Sequence, residues 1–151
     1  MLRRYLSVNR RYCPKSICLM CLAIIVVVGW NSGCEKDPAS SYEPEVTNVK
    51  DNFHVTIKDV KNLDTVYVYY WPVEGSVGNT CSANIDQQAS IQSGQASVVV
   101  KDNSSTRQTV YQTDLSQNGS FQTTLGTSGV WQITVSLVQF TGLIDFRAQR
   151  R

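Results

Sequence analysis

From Val46 onward, β-branched and aromatic residues alternate with polar ones in short runs that Gly, Asn, Asp and Ser interrupt. In a strand, successive side chains point to opposite faces, so such a run hides one face and wets the other. Phe53-His54-Val55-Thr56-Ile57-Lys58 places Phe53, Val55 and Ile57 together, and Trp131 through Leu137 repeats the pattern. Thr65–Val73 is dense in valine, tyrosine and tryptophan, and Ala96–Lys101 follows the turn signal Ser93-Gly94. Thr109–Leu115 and Phe121–Leu125 flank Asn118-Gly119, which predicts a hairpin because both residues tolerate positive φ. Leu143–Ala148 follows Thr141-Gly142. No stretch of this region keeps a 3.6-residue period over three turns, which excludes a helical bundle. The pattern predicts an all-β domain over residues 45–151, an antiparallel β-sandwich of about seven to eight strands.

Candidate functional residues are few. On a strand through Thr65–Val73, Tyr67, Tyr69 and Trp71 share one face, and Val66, Val68 and Tyr70 share the other. If the valines are core, the three rings form an outer platform able to stack on sugar rings or anchor a protein contact. If the rings are core, Val66 and Val68 pack under a loop; this is the favoured assignment. Trp131, continuing into Ile133, Val135 and Leu137, is expected in the core. The stretch Glu74–Gln92 reads as a long connection, the kind of loop that often carries binding, with room for a poorly patterned strand around Ala89–Gln92.

Catalytic constellations are not apparent. His54 is the only histidine and falls opposite Phe53, Val55 and Ile57, so it is expected on a solvent face. A serine triad would need His54 as its base, and no Gly-x-Ser-x-Gly turn is present. Asp114-x-Ser116-x-Asn118-Gly119 starts like a calcium loop, but its twelfth position is Leu125 where a bidentate glutamate is required. No metal site, phosphate loop or cofactor is expected, and the domain reads as non-enzymatic. A formal net charge of +2 is too small to suggest nucleic acid as a partner.

The closing cadence, Asn118-Gly119-Ser120-Phe121 through Trp131–Val135 to Phe140–Phe146, resembles the terminal strands of Ig-like accessory domains in bacterial surface proteins. The resemblance implies an Ig-like sandwich and carries no catalytic residue.

The N-terminal segment differs in every respect. Residues 1–33 hold five bases and no acid, whereas residues 34–151 hold nine bases and all twelve acids. The chain therefore joins a basic leader to a mildly acidic domain. An apolar run from Leu19 to Trp30 follows the basic flank; as a helix it would span about 18 Å, against a bilayer core of about 30 Å. That length suits a secretory signal helix better than a permanent anchor, although an uncleaved single-pass anchor and ordinary signal cleavage are the other possibilities.

Asn31-Ser32-Gly33-Cys34 resembles the lipobox of bacterial lipoproteins, in which small residues precede the cysteine that is lipidated after cleavage. Asn31 departs from the aliphatic residue usual there. Glu35-Lys36-Asp37-Pro38 resembles the surface-export tags of outer-membrane lipoproteins in a Gram-negative lineage. The resemblance implies a signal peptide over 1–33, lipidation at Cys34, a tether over 34–44, and a place at the outer membrane on its periplasmic or surface face. Cys18-x-x-Cys21 has redox or zinc spacing but lies in the apolar run, where a thiolate is not stable. Only Cys34 and Cys81 would remain after cleavage, which leaves no intramolecular disulfide; Cys81 is read as a tucked-in apolar residue rather than an exposed thiol. The expected function is that of a lipid-anchored structural or protein-interaction module, with glycan binding through Tyr67, Tyr69 and Trp71 as the alternative.

Overall fold

In the computed structural model, residues 42–75 and 79–151 are described. Residues 1–41, on which the expected signal peptide, the expected lipidation at Cys34 and most of the expected tether fall, lie outside them. The described residues form eight strands: β1 (Glu45–Val49), β2 (Asn52–Val73), β3 (Thr80–Cys81), β4 (Ala83–Lys101), β5 (Thr109–Thr113), β6 (Gly119–Gln122), β7 (Gly126–Thr127) and β8 (Gly129–Arg150). The all-β, antiparallel expectation holds: every pairing is antiparallel, and no helix occurs among the described residues.

Three strands are far longer than the usual five or six residues: β2 and β8 each have 22 and β4 has 19. Fully extended, β2 would span about 70 Å. Yet the Asp51 N–H, just before it, donates to the Pro72 carbonyl near its far end at 2.9 Å. Phe53 and Tyr69, on opposite halves of β2, bring their ring centroids to 5.3 Å. The strand folds back on itself.

Its neighbours fold at the same level. Register shifts fall between Ile57 and Thr65 in β2, and between Ile91 and Gln95 in β4. Asp59, Asn62, Gln139, Gly94 and Gly142 take positive φ at these corners. Two glycines are required there by space as well as by dihedral angle. A Cβ on Gly94 would sit 2.2 Å from the Gln139 carbonyl oxygen, and one on Gly142 would sit 2.1 Å from that of Ser90. The Gln139 N–H donates to Asp64 Oδ1 at 2.7 Å, and the Asn62 N–H to Thr141 Oγ1 at 3.0 Å, which ties the corners of β2 and β8 together.

One sheet thus becomes two layers. The first has β1, the N-terminal half of β2, the C-terminal half of β8, the N-terminal half of β4, and β6. The second has the other halves of β2, β8 and β4, closed by β5. The core lies between them: Phe53, Val55, Ile57, Ile85, Ile144 and Phe146 from the first layer face Trp71, Val98, Val100, Trp131, Ile133 and Val135 from the second. Trp71 and Trp131 pair across β2 and β8 with ring centroids 5.8 Å apart, edge to face. Such aromatic pairs add about 0.5–1.5 kcal/mol beyond their buried area.

Two sequence expectations change. Asn118-Gly119 does not close a hairpin: β5 pairs with Val98–Lys101 and β6 with Asn84–Gln87, so residues 114–118 carry the chain from one layer to the other. Leu115, fully packed at 2% exposure, pins this crossing, and Asn118 Oδ1 accepts from the Ala89 N–H at 2.7 Å. The stretch Glu74–Gln92 is not one long connection, because β4 already starts at Ala83. Its inward row Ala83-Ile85-Gln87 contains a glutamine, which breaks the apolar alternation that would have announced a strand.

Candidate functional site

Alternation along the second half of β2 decides the fate of the aromatic residues. Trp71 is fully buried, and Tyr67 and Tyr69 pack half-buried against the core. The outward platform is therefore not formed. The same parity leaves Val66, Val68 and Tyr70 exposed at 59%, 44% and 59%, so the two valines are not packed under a loop. Burial drives the Tyr69 hydroxyl up to about 12, with Tyr67 and Tyr42 nearby adding to the shift. The Tyr67 hydroxyl donates to the Tyr42 carbonyl at 2.9 Å, and the Tyr42 hydroxyl accepts from the Lys58 N–H at 2.8 Å. These tyrosines hold the start of the domain against the β2 corner.

The outward valine row continues across the second layer. Register places Val66 opposite Ser136, and Ser136 opposite Ser97; Val68 meets Thr134, which meets Val99; Tyr70 meets Gln132, which meets Lys101. Val130 and Val138 extend it at 42% and 53% exposure. Lys101 is the one charged side chain in these rows. Among the described residues, no strand pairs with the second half of β2 on the side away from β8. Pro72, which has no N–H to offer, sits on that edge, and the Tyr70 carbonyl is capped by the Asn48 side chain at 3.0 Å.

The outer face of the first layer is polar instead. His54 Nε2 lies 3.1 Å from Asp145 Oδ2 and 3.1 Å from Thr56 Oγ1, and Arg147 Nε donates to Asp145 Oδ1 at 3.1 Å. This group has the composition of a catalytic triad but not its geometry. A relay needs the carboxylate and the hydroxyl on different ring nitrogens; here both meet Nε2, and Thr56 is 5% exposed. Burial raises the Asp145 carboxyl, but the bonds and charges of His54 and Arg147 outweigh it and hold the group below its ordinary 3.8. Beside this cluster, Asp86, Gln88, Asn118, Ser120, Asp145 and Arg147 border a concavity of about 560 Å³. Asp86 accepts a short hydrogen bond from Ser120.

Asp102 and Asp114 serve turns. Asp102, at 1% exposure, accepts from Ser104 N–H, Ser104 Oγ, Gln108 N–H and Thr127 N–H at 2.6–3.1 Å, fixing the β4–β5 turn. Asp114 accepts from the Ser116 N–H at 3.0 Å. No group of three or more His, Cys, Asp or Glu side chains able to hold a metal occurs among the described residues. Cys81 is buried, as its apolar reading anticipates; burial, aided by Asp51 and Asp102, pushes its thiol up against the opposing pull of Arg150.

Sequence reasoning passed over one functional-looking region entirely. Gln87, at 2% exposure, sits between the layers with its amide fully engaged: Oε1 accepts from the Tyr111 hydroxyl at 2.9 Å, and Nε2 donates to the Gln117 carbonyl at 2.6 Å and to Thr113 Oγ1 at 3.2 Å. Above it, Tyr111 and Phe121 stand 6.2 Å apart at 44° on the open flank of the sandwich, beside a groove of about 620 Å³. A glutamine in an otherwise apolar row was the available signal. No protein-family model matches the chain, and no curated protein does either.

Proposed function

We propose that the chain is a lipid-anchored protein of the bacterial cell envelope, held at the outer membrane through Cys34, whose sandwich acts as a non-catalytic, Ig-like accessory module that binds another envelope protein. The anchor rests on the basic leader, the short apolar run and Asn31-Ser32-Gly33-Cys34. The observation that carries the interaction role is the uncharged outer row Val66, Val68, Tyr70, Val130 and Val138. The four strands, about 4.8 Å apart, present nine residues each from β2 and β8, seven from β4 and five from β5, roughly 480 Å² in all. Covering that face from both sides buries about 950 Å², the size of a weak or transient interface. Charge is confined to its margins, Lys101 at one end and Asp114 beside Ser97 and Val138 at the other, so the face fits a partner surface that is itself apolar and hydroxyl-bearing.

Labelling cells with a palmitate analogue tests the anchor. Label is expected on the wild-type chain and none on Cys34→Ser; persistence of label in the variant overturns it. Mass spectrometry that finds residues 1–33 retained would instead establish an uncleaved anchor. Cross-linking from position 68 in intact cells is expected to capture an envelope protein, and loss of that product in Val66→Lys identifies the face used. Absence of any cross-linked protein overturns the interaction role.

A further inference from the structure

The groove on the open flank of the sandwich has the chemistry of a binding site; it shares Ser97 with the margin of the valine face and Gln87 with the concavity beside the His54 cluster. It forms because β4 serves both layers while its outer neighbours differ: β5 flanks one half and β6 the other. Where they diverge, the core would be open to water but for Tyr111 and Phe121, which stand over Gln87. Every polar atom of the Gln87 amide is used, so the floor is rigid and the Tyr111 ring is oriented by its own hydroxyl. Residues 114–118 form the rim, held by buried Leu115.

The lining is selective in what it offers. Gln112 and Gln117 supply primary amides, Ser97 and Ser116 hydroxyls, and Asp114 a carboxylate. Hydrogen bonding to Ser116 holds the Asp114 carboxyl below its ordinary 3.8, so it is an acceptor at neutral pH. No lysine, arginine or histidine lines the groove, which disfavours phosphate, sulfate or carboxylate ligands. A wholly apolar ligand would strand the amides and the carboxylate. What remains is a neutral molecule with one face of C–H groups for the two rings and an edge of hydroxyls for amides and carboxylate. A groove of about 620 Å³ lies within the range of small-ligand sites.

The geometry points to a neutral saccharide as the ligand of the groove beside the Tyr111–Phe121 pair, with Gln112, Gln117 and Asp114 reading its hydroxyls. This site does not depend on the lipid anchor, and Tyr111, opposite inward-facing Val100, lies off the valine face. It places glycan recognition on the flank opposite in character to Tyr67, Tyr69 and Trp71, whose rings support the core.

The test uses the full chain in detergent micelles and saturation-transfer NMR. The probes are maltose, cellobiose, lactose, xylobiose and chitobiose at about 10 mM, a range suited to weak sites. At least one disaccharide is expected to receive saturation, strongest on the C–H face of one ring. The double variant Gln112→Ala/Gln117→Ala, altering only exposed side chains, is expected to weaken binding about tenfold or more. Phe121→Ser is expected to weaken it similarly, with thermal unfolding confirming that the variants remain folded. Tyr70→Ala, on the valine face, is expected to bind as wild type. The proposal fails if no disaccharide binds, if the folded double variant binds unchanged, or if Tyr70→Ala abolishes binding.

Discussion

The side-chain oxygen of Gln87 accepts a hydrogen bond from the hydroxyl of Tyr111 at 2.9 Å, joining the two layers of the sandwich through a residue that is 2% exposed. Gln87→Leu would keep the bulk but strand the Tyr111 hydroxyl and the Gln117 carbonyl. The expected loss is about 2–3 kcal/mol in urea unfolding, and Tyr111→Phe alone should lose about 1 kcal/mol. The double variant should cost less than the sum, since each change removes the same bond.

Asp102 gives the domain a specific acid sensitivity. Burial raises its carboxyl, but bonds from Ser104 and from the N–H groups of Thr127 and Gln108 outweigh burial, leaving it below its ordinary 3.8. A carboxyl depressed on folding binds fewer protons in the native than in the unfolded chain, so its contribution is complete above about pH 4 and fades as pH falls through the native value. Asp102→Asn is expected to cost about 2–3 kcal/mol at pH 7. That deficit against wild type should narrow progressively below pH 3.8, as urea midpoints measured across pH 2–7 would reveal.

The corners predict an asymmetry between glycine and its neighbours. Gly142→Ala places a methyl group 2.1 Å from the Ser90 carbonyl oxygen at φ 148°, and should cost about 3 kcal/mol or more in unfolding free energy. Leu143→Ala, one residue on and 37% exposed, should cost about 1 kcal/mol or less in the same measurement.

Parity along β2 predicts opposite outcomes for adjacent residues. Trp71→Ala should lose about 3–5 kcal/mol by emptying the core beside Trp131. Tyr70→Ala should stay within about 0.5 kcal/mol of wild type. Equal losses at the two positions would contradict the inward placement of the rings.

Cys81 should be silent toward a thiol reagent such as DTNB in the folded chain and react fully in urea. Its burial at 6% exposure and raised thiol both act against thiolate attack. Rapid labelling at pH 7 without denaturant would overturn this.

Much of the second layer was legible because its strands alternate cleanly. Trp131, Ile133, Val135 and Leu137 point inward and Gln132, Thr134 and Ser136 outward, as the period-two pattern requires. The first layer was harder for identifiable reasons. β1 is exposed along its whole length and held by backbone pairing, so it has no apolar period to display. The first half of β4 hides a glutamine where periodicity expects an apolar residue. Ser93-Gly94 and Thr141-Gly142 carry true backbone signals, but a glycine with positive φ serves a corner as well as it serves a turn. Local sequence does not distinguish a strand that ends from one that folds over and continues. The flank groove was illegible for a related reason: Tyr111 and Phe121 meet only because β5 and β6 border different halves of β4.

The folding-over of β2, β4 and β8 also governs how the domain comes apart. In a sandwich of separate sheets, one sheet can loosen while the other survives. Here each layer borrows three strands whose other halves build its counterpart, so neither has an independent existence. Native-state amide exchange in the two halves of β8 should therefore report a single opening free energy, and a nick at the Gln139–Gly142 corner should release the whole core at once. A domain built this way fails as a unit or not at all.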